Sequence, residues 1–190
     1  MKIGLFFGSF NPIHIGHLII ANVMAKNTDL DKVWFIVSPH NPLKSSKSLI
    51  HEFDRYEMVR LAIHDNLDLE VSDIEFQLPR PSYTVDTLTY IQEKYPEHEF
   101  ALIIGEDNLV QFPRWKNHDK ILEYFKLYVY PRPRCSESEL KSHPSVKMYE
   151  APMMDVSATY IRNTIKDGNS VRYLIPTEVE EYIHRNKLYS

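Results

Sequence analysis

Short apolar runs alternate along this chain with longer stretches whose apolar residues recur at helical spacing, and that alternation restricts the fold more than any other feature. Ile3 to Phe7 is followed by Ile15 to Ala25, Val33 to Val37 by Phe53 to Ile63, and the helical pattern Tyr83 to Tyr95 leads into Phe100 to Ile104. Leu67 to Val71, Leu127 to Tyr130 and Val146 to Tyr149 add strand candidates. Ser157 to Lys166, stopped by Gly168, and Thr177 to Arg185 add helix candidates. Strand alternating with helix in this way predicts an α/β fold, a doubly wound and mostly parallel sheet with helices on both faces. With 190 residues, no internal repeat and no Gly/Ser linker, residues 1–190 are expected to form one domain. The longest loops fall at Pro39 to Glu52 and Pro131 to Pro144, and in open parallel sheets the loops after strand C-termini carry the site.

The first apolar run ends in Gly8-Ser9-Phe10-Asn11-Pro12-Ile13-His14-Ile15-Gly16-His17, the densest signal in a chain with only 5 glycines. It is neither a dinucleotide GxGxxG fingerprint nor a Walker A loop, since no Gly-Lys-Ser/Thr follows. Gly8 allows close backbone approach at a strand end, while Ser9 and Asn11 supply polar groups. His14 and His17 are three apart, so on a starting helical turn both imidazoles face one way, with Gly16 between them leaving room for a bulky anion. Two imidazoles at a helix N-terminus place N–H donors where the dipole favours negative charge. No Cys cluster or HExxH accompanies them, so no protein-held metal is expected.

Charge and cysteine content bound the partners. Twenty-two Lys and Arg stand against 26 Asp and Glu, a net charge of -4, which excludes a polyanion-coating surface: no nucleic-acid partner is expected, and phosphate chemistry must be local. A single cysteine, Cys135, precludes an internal disulfide, and neither a signal peptide nor a membrane-length apolar run is visible. A cytoplasmic protein with no membrane association is expected. The 12 tyrosines suit an interface in a homo-oligomer.

Gly8 to His17 resembles the (H/T)xGH signature of the nucleotidylyltransferase superfamily, and Val156-Ser157-Ala158-Thr159-Tyr160-Ile161-Arg162 resembles its second signature, a Ser-Thr-x-x-Arg-type element on a late helix. Together with Pro42-Leu43-Lys44, Arg55-Tyr56-Glu57-Met58, Pro81 to Leu88, Ile104-Gly105-Glu106-Asp107 and Trp115, these segments resemble the bacterial nicotinate-nucleotide adenylyltransferases over nearly the whole chain. Asn11 stands where that family often has Asp, and Ala158 where Ser is common. The resemblance implies a Rossmann-like sheet and adenylyl transfer from ATP, with Mg²⁺ carried on its phosphates, to nicotinate mononucleotide. The products are deamido-NAD and pyrophosphate.

The same resemblance implies roles for particular residues. His14, His17 and Arg162 are the catalytic candidates. Gly8, Ser9, Phe10, Gly16, Lys44, Gly105, Asp107, Ser157 and Thr159 join them around ATP, and Thr84, Thr87 and Trp115 around the pyridine nucleotide, with the indole stacked on the ring. Three other readings remain at this point: a related enzyme using nicotinamide mononucleotide, one using phosphopantetheine, and a non-catalytic nucleotide-binding module.

Overall fold

The computed structural model describes residues 1–39 and 48–190. Among these, six strands form one sheet: β1 (Lys2–Gly8), β2 (Lys32–Val37), β3 (Leu69–Ser72), β4 (Glu99–Gly105), β5 (Lys126–Tyr130) and β6 (Val146–Met148). Their order is β3-β2-β1-β4-β5-β6 and every pairing is parallel. The described residues also form seven α-helices, five between strands, α1 (Ile15–Asn27), α2 (Glu52–Ala62), α3 (Thr84–Lys94), α4 (Glu106–Gln111) and α5 (His118–Tyr124), and two after β6, α6 (Ala158–Lys166) and α7 (Thr177–Asn186).

Side chains that alternate along each strand fall into two apolar layers. Phe6, Phe35, Ile103 and Tyr128 meet Ile20 and Met24 of α1, Met58 and Val59 of α2, Ile161 of α6 and Val179 and Ile183 of α7. Leu5, Trp34, Leu102 and Val129 meet Leu88 and Ile91 of α3, Leu109 of α4 and Ile121 and Leu122 of α5. Both faces of the sheet are therefore dry, the condition that selects continuous apolar strands. The strand order reverses between β1 and β4. In such sheets ligands bind in the crevice outside the strand C-termini at that switch point, and here those C-termini are Gly8 and Gly105.

Two helices were not legible in the sequence. α4 and α5 have 6 and 7 residues, under two turns, which is too short for a 3.6-residue period to emerge. Leu67, expected to open a strand, is 88% exposed and lies in the turn that the Leu69 N–H closes onto Asn66 O, 3.2 Å. Among the tyrosines of 124–130, Tyr128 and Tyr130 are buried on β5, whereas Tyr124 ends α5 and is exposed.

Candidate active site

A cavity of about 850 Å³ opens at the switch point, toward the large end of the ~300–1,000 Å³ usual for ligand pockets. The N-terminal residues of α1 (His14, His17), α3 (Tyr83, Thr84) and α6 (Ser157, Thr159) all line it. The N-termini of three helices thus border one space, and their dipoles make it an end that suits an anion.

The loop after β1 is shaped by its aromatic residue. Phe10 has left-handed backbone (φ 45°) and is buried. Its ring fills the volume that a Cβ on Gly8 would occupy, at 2.6 Å. Gly8 lines the cavity, but its lack of a side chain primarily admits Phe10, which is a correction to the expectation of ligand approach alone. Phe10 in turn stands nearly perpendicular to the His17 ring, centroids 5.1 Å apart.

His14 and His17 lie stacked, centroids 3.7 Å apart with 27° between planes. The His14 N–H donates to His17 Nδ1, 3.3 Å, so a neutral His17 carries its proton on Nε2. His14 is buried, and its Nδ1 has no hydrogen-bond partner among the described residues. Burial, and next the positive Arg132, push its pKa down to about 4. Gly16 does not line the cavity. A Cβ there would stand 3.1 Å from His14 Nδ1, so its smallness admits the His14 ring, and the expectation that it leaves room for the anion directly is corrected.

A pH dependence follows from His14. Its folded pKa of about 4 lies below the ordinary 6.5, so between these values the unfolded chain binds the extra proton. The associated stability is complete above pH 6.5 and is lost as pH falls toward 4. The nucleotide-free protein should lose up to about 3 kcal/mol over that window. Urea unfolding at pH 7, 6 and 5 reads it, and His14→Gln should flatten the profile. An unchanged slope in His14→Gln would assign the acid sensitivity elsewhere.

On the opposite wall, Ser157 caps α6 by accepting from Tyr160 N, 3.2 Å. Arg162, one turn on, donates through Nη1 to Asn11 O, 2.8 Å, and through Nη2 to Thr159 Oγ1, 3.2 Å. The two hydroxyls spend acceptor capacity in these bonds and keep their protons to donate. Residues far apart in sequence, His14, His17 and Arg162, therefore line one cavity.

Toward β4, Gly105, Asp107, Thr84 and half-buried Trp115 line the same space, as do Ser9 and Phe10. Trp115 packs on Phe112, centroids 5.1 Å apart. Thr87 is a correction: it is fully buried and absent from the cavity wall, its hydroxyl donating to Glu75 Oε1 at 2.7 Å. One turn beyond Thr84, it points into the protein. Lys44 lies outside the described residues.

Several cavity residues escaped sequence reasoning. Arg132, just after β5, lines the cavity, with Nε 3.6 Å from Asp107 Oδ1 and its guanidinium over the Tyr130 ring. Its place after a strand C-terminus was the available signal, but nothing distinguished it from Arg134. Glu75 is a buried cavity-lining carboxyl held by Thr87 and Ser82 hydroxyls, and burial raises its pKa. Only the fold reveals it. Arg55 is fully buried and donates to the carbonyls of Ser9, Ser38, Pro39 and Ile50 at 2.6–3.1 Å.

A doubly wound parallel sheet with paired histidines and a late-helix arginine around one anion-favouring cavity defines a protein of the nucleotidylyltransferase class. The Cytidylyltransferase-like family matches residues 5–164. A protein of Cytophaga hutchinsonii named probable nicotinate-nucleotide adenylyltransferase is 63% identical over 190 residues, covering 100% of this chain and 99% of the relative. One of the same name from Flavobacterium johnsoniae is 52% identical over 191 residues, with 100% and 99% covered. The chain belongs to the Cytidylyltransferase-like family and, within it, to the nicotinate-nucleotide adenylyltransferases. Its fold matches that of a Plasmodium falciparum nicotinic acid mononucleotide adenylyltransferase complexed with NaAD, with TM-score 0.83 at 19% identity and coverage of 99% of this chain and 97% of the other. Among the described residues no helix is long and apolar enough to cross a membrane.

Proposed function

We propose that this chain transfers the adenylyl group of ATP to nicotinate mononucleotide, yielding deamido-NAD and pyrophosphate in NAD biosynthesis. The observation that carries the reading is the meeting of His14, His17 and Arg162 on one cavity ringed by helix N-termini. That arrangement is matched to a triphosphate, and 63% identity over the full chain supports the pyridine-nucleotide assignment. The 5′-phosphate oxygen of the mononucleotide attacks the α-phosphorus in line, a new P–O bond forms, and the bond to pyrophosphate breaks. The nucleophile is already an anion at pH 7, so no general base is needed. Catalysis reduces to positioning and charge stabilisation.

In this reading His17 donates from Nε2 to the α-phosphate region, beside His14. Arg162 grips β- and γ-oxygens with its planar fork, and Ser157 and Thr159 donate beside it. Ser9, Phe10, Gly8 and Gly105 bound the adenosine path, and Asp107 accepts from a ribose. Arg132 is a further cation for phosphate. Among the described residues no group of three His, Cys, Asp or Glu could hold a metal, and Asp107 already faces Arg132. In this reading Mg²⁺ enters on ATP, as part of the substrate. The chain acts as one domain over residues 1–190 in the cytoplasm, with no nucleic-acid partner.

Trp115 stacks on the pyridine ring, and Thr84 with its helix N-terminus receives the carboxylate. Stacking of a base on an aromatic residue is worth ~1–3 kcal/mol, so Trp115→Ala should raise KM for the mononucleotide about 5- to 150-fold with KM for ATP little changed. An unchanged KM would return Trp115 to a packing role. The reading as a whole is tested by pyrophosphate release from ATP and Mg²⁺ with nicotinate mononucleotide, nicotinamide mononucleotide and phosphopantetheine in parallel. Release is expected chiefly with the first, and no release with either pyridine nucleotide would refute it.

A further inference from the structure

After α7 the chain turns back across the molecule. Lys187 and Tyr189 both have left-handed backbone (φ 53° and 65°), and neither is glycine. Such conformations persist where surrounding contacts over-determine them. What Tyr189 reaches is Asn11, 178 residues earlier in the chain, whose Oδ1 accepts from the Tyr189 hydroxyl at 2.8 Å. Asn11 is buried and its carboxamide is engaged at both ends: Oδ1 also accepts from Ile50 N at 3.4 Å, and Nδ2 donates to Ser48 O at 2.9 Å. Its main-chain carbonyl accepts from Arg162 Nη1 at 2.8 Å.

We propose that Tyr189 and Asn11 are positioning residues for Arg162. The phenol fixes the Asn11 carboxamide, and the Asn11 carbonyl thereby holds the guanidinium in the orientation in which it meets the triphosphate. This rests on the reading of Arg162 as the cation for β- and γ-oxygens. Arg162 commits one hydrogen of each terminal nitrogen, to Asn11 and to Thr159. Of its five N–H groups three remain for a ligand, and their direction is set by where those two acceptors sit. A displaced Asn11 carbonyl would turn the fork away from the phosphates without touching them itself. The Tyr189 hydroxyl suits this role because burial holds its pKa above the ordinary tyrosine value, so it remains a donor through the working pH range.

The test uses the full chain with ATP, Mg²⁺ and nicotinate mononucleotide, and compares wild type, Tyr189→Phe, Arg162→Lys and the double variant. Tyr189→Phe keeps the ring and loses one hydrogen bond, so urea unfolding should show a folded protein close to wild type. It is expected to raise KM for ATP, and the calorimetric Kd for ATP measured alone, about tenfold, with KM for the mononucleotide within about twofold. Because the effect runs through Arg162, the double variant should bind ATP within about twofold of Arg162→Lys alone. Penalties that simply add, or equal changes in both KM values, would make Tyr189 a general structural residue and overturn the proposal while leaving Arg162 in place. If Arg162→Lys itself leaves ATP binding unchanged, the reading of Arg162 fails and the positioning role falls with it.

Discussion

His17→Ala is expected to lower kcat by about 10²–10³, the cost of removing one preorganised donor from a developing phosphoryl charge, while the protein unfolds at nearly the wild-type urea concentration. The side chain is well placed for a specific donor role. Its Nδ1 is occupied by the His14 N–H, which fixes the proton of the neutral ring on Nε2. Its ring is held between the stacked His14 and Phe10, whose ring stands nearly perpendicular to it. A donor whose tautomer and plane are both set by neighbours needs no reorganisation when charge appears, which is what makes such groups effective in a water-poor cavity. Loss should fall on kcat more than on KM for either substrate, since the interaction strengthens as the α-phosphorus passes through in-line displacement. Pyrophosphate release at saturating substrates measures it. A folded His17→Ala with activity within threefold of wild type would remove His17 from the reacting centre.

The legible parts of this protein were those in which local pattern and tertiary role coincide. Continuous apolar runs such as Phe100 to Ile104 could only be strands covered on both sides, and the layer contacts of Leu102 and Ile103 show why. Short α4 and α5 had no period to display and owe their existence to packing of Leu109, Ile121 and Leu122. At the site, His14 and His17 announced themselves by spacing beside a strand-end glycine. Gly8 and Gly16 were singled out as leaving room for a ligand, but the occupants of that space are the rings of Phe10 and His14, and how those rings fold back on the loop is invisible in one dimension. Thr87 shows the limit most plainly. It shares a helix start with Thr84, yet a shift of three residues turns it onto Glu75. Arg132, Glu75 and the Tyr189 contact depend on chain crossings between distant segments, so no local motif encodes them.

Arg55→Met should destabilise the fold by about 3–5 kcal/mol, because it removes a buried charge from acceptors that stay behind. The guanidinium is fully buried and donates to four main-chain carbonyls, those of Ser9, Ser38, Pro39 and Ile50. Burial pushes its pKa down to about 10, so it remains charged at pH 7 despite a substantial desolvation cost. Nearby Glu52 opposes that shift, although its own carboxylate is held by Arg80 at 2.6 Å. The carbonyl bonds are therefore the main compensation. Methionine fills similar volume without a donor, so the loss is of hydrogen bonds rather than of packing. Arg55→Lys should recover part of the stability, since an ammonium offers three donors but cannot span carbonyls on three separate segments as the fork does. For a chain of this size the methionine variant should melt ~10 °C lower. The deficit should also be local to the site, because Ser9 belongs to the loop carrying Phe10, Asn11 and His14. Saturating ATP, binding only the folded form, should then raise the melting temperature of Arg55→Met less than that of wild type, its affinity having fallen with the loop. Equal ligand-induced shifts in the two proteins would place the role of Arg55 in global stability alone.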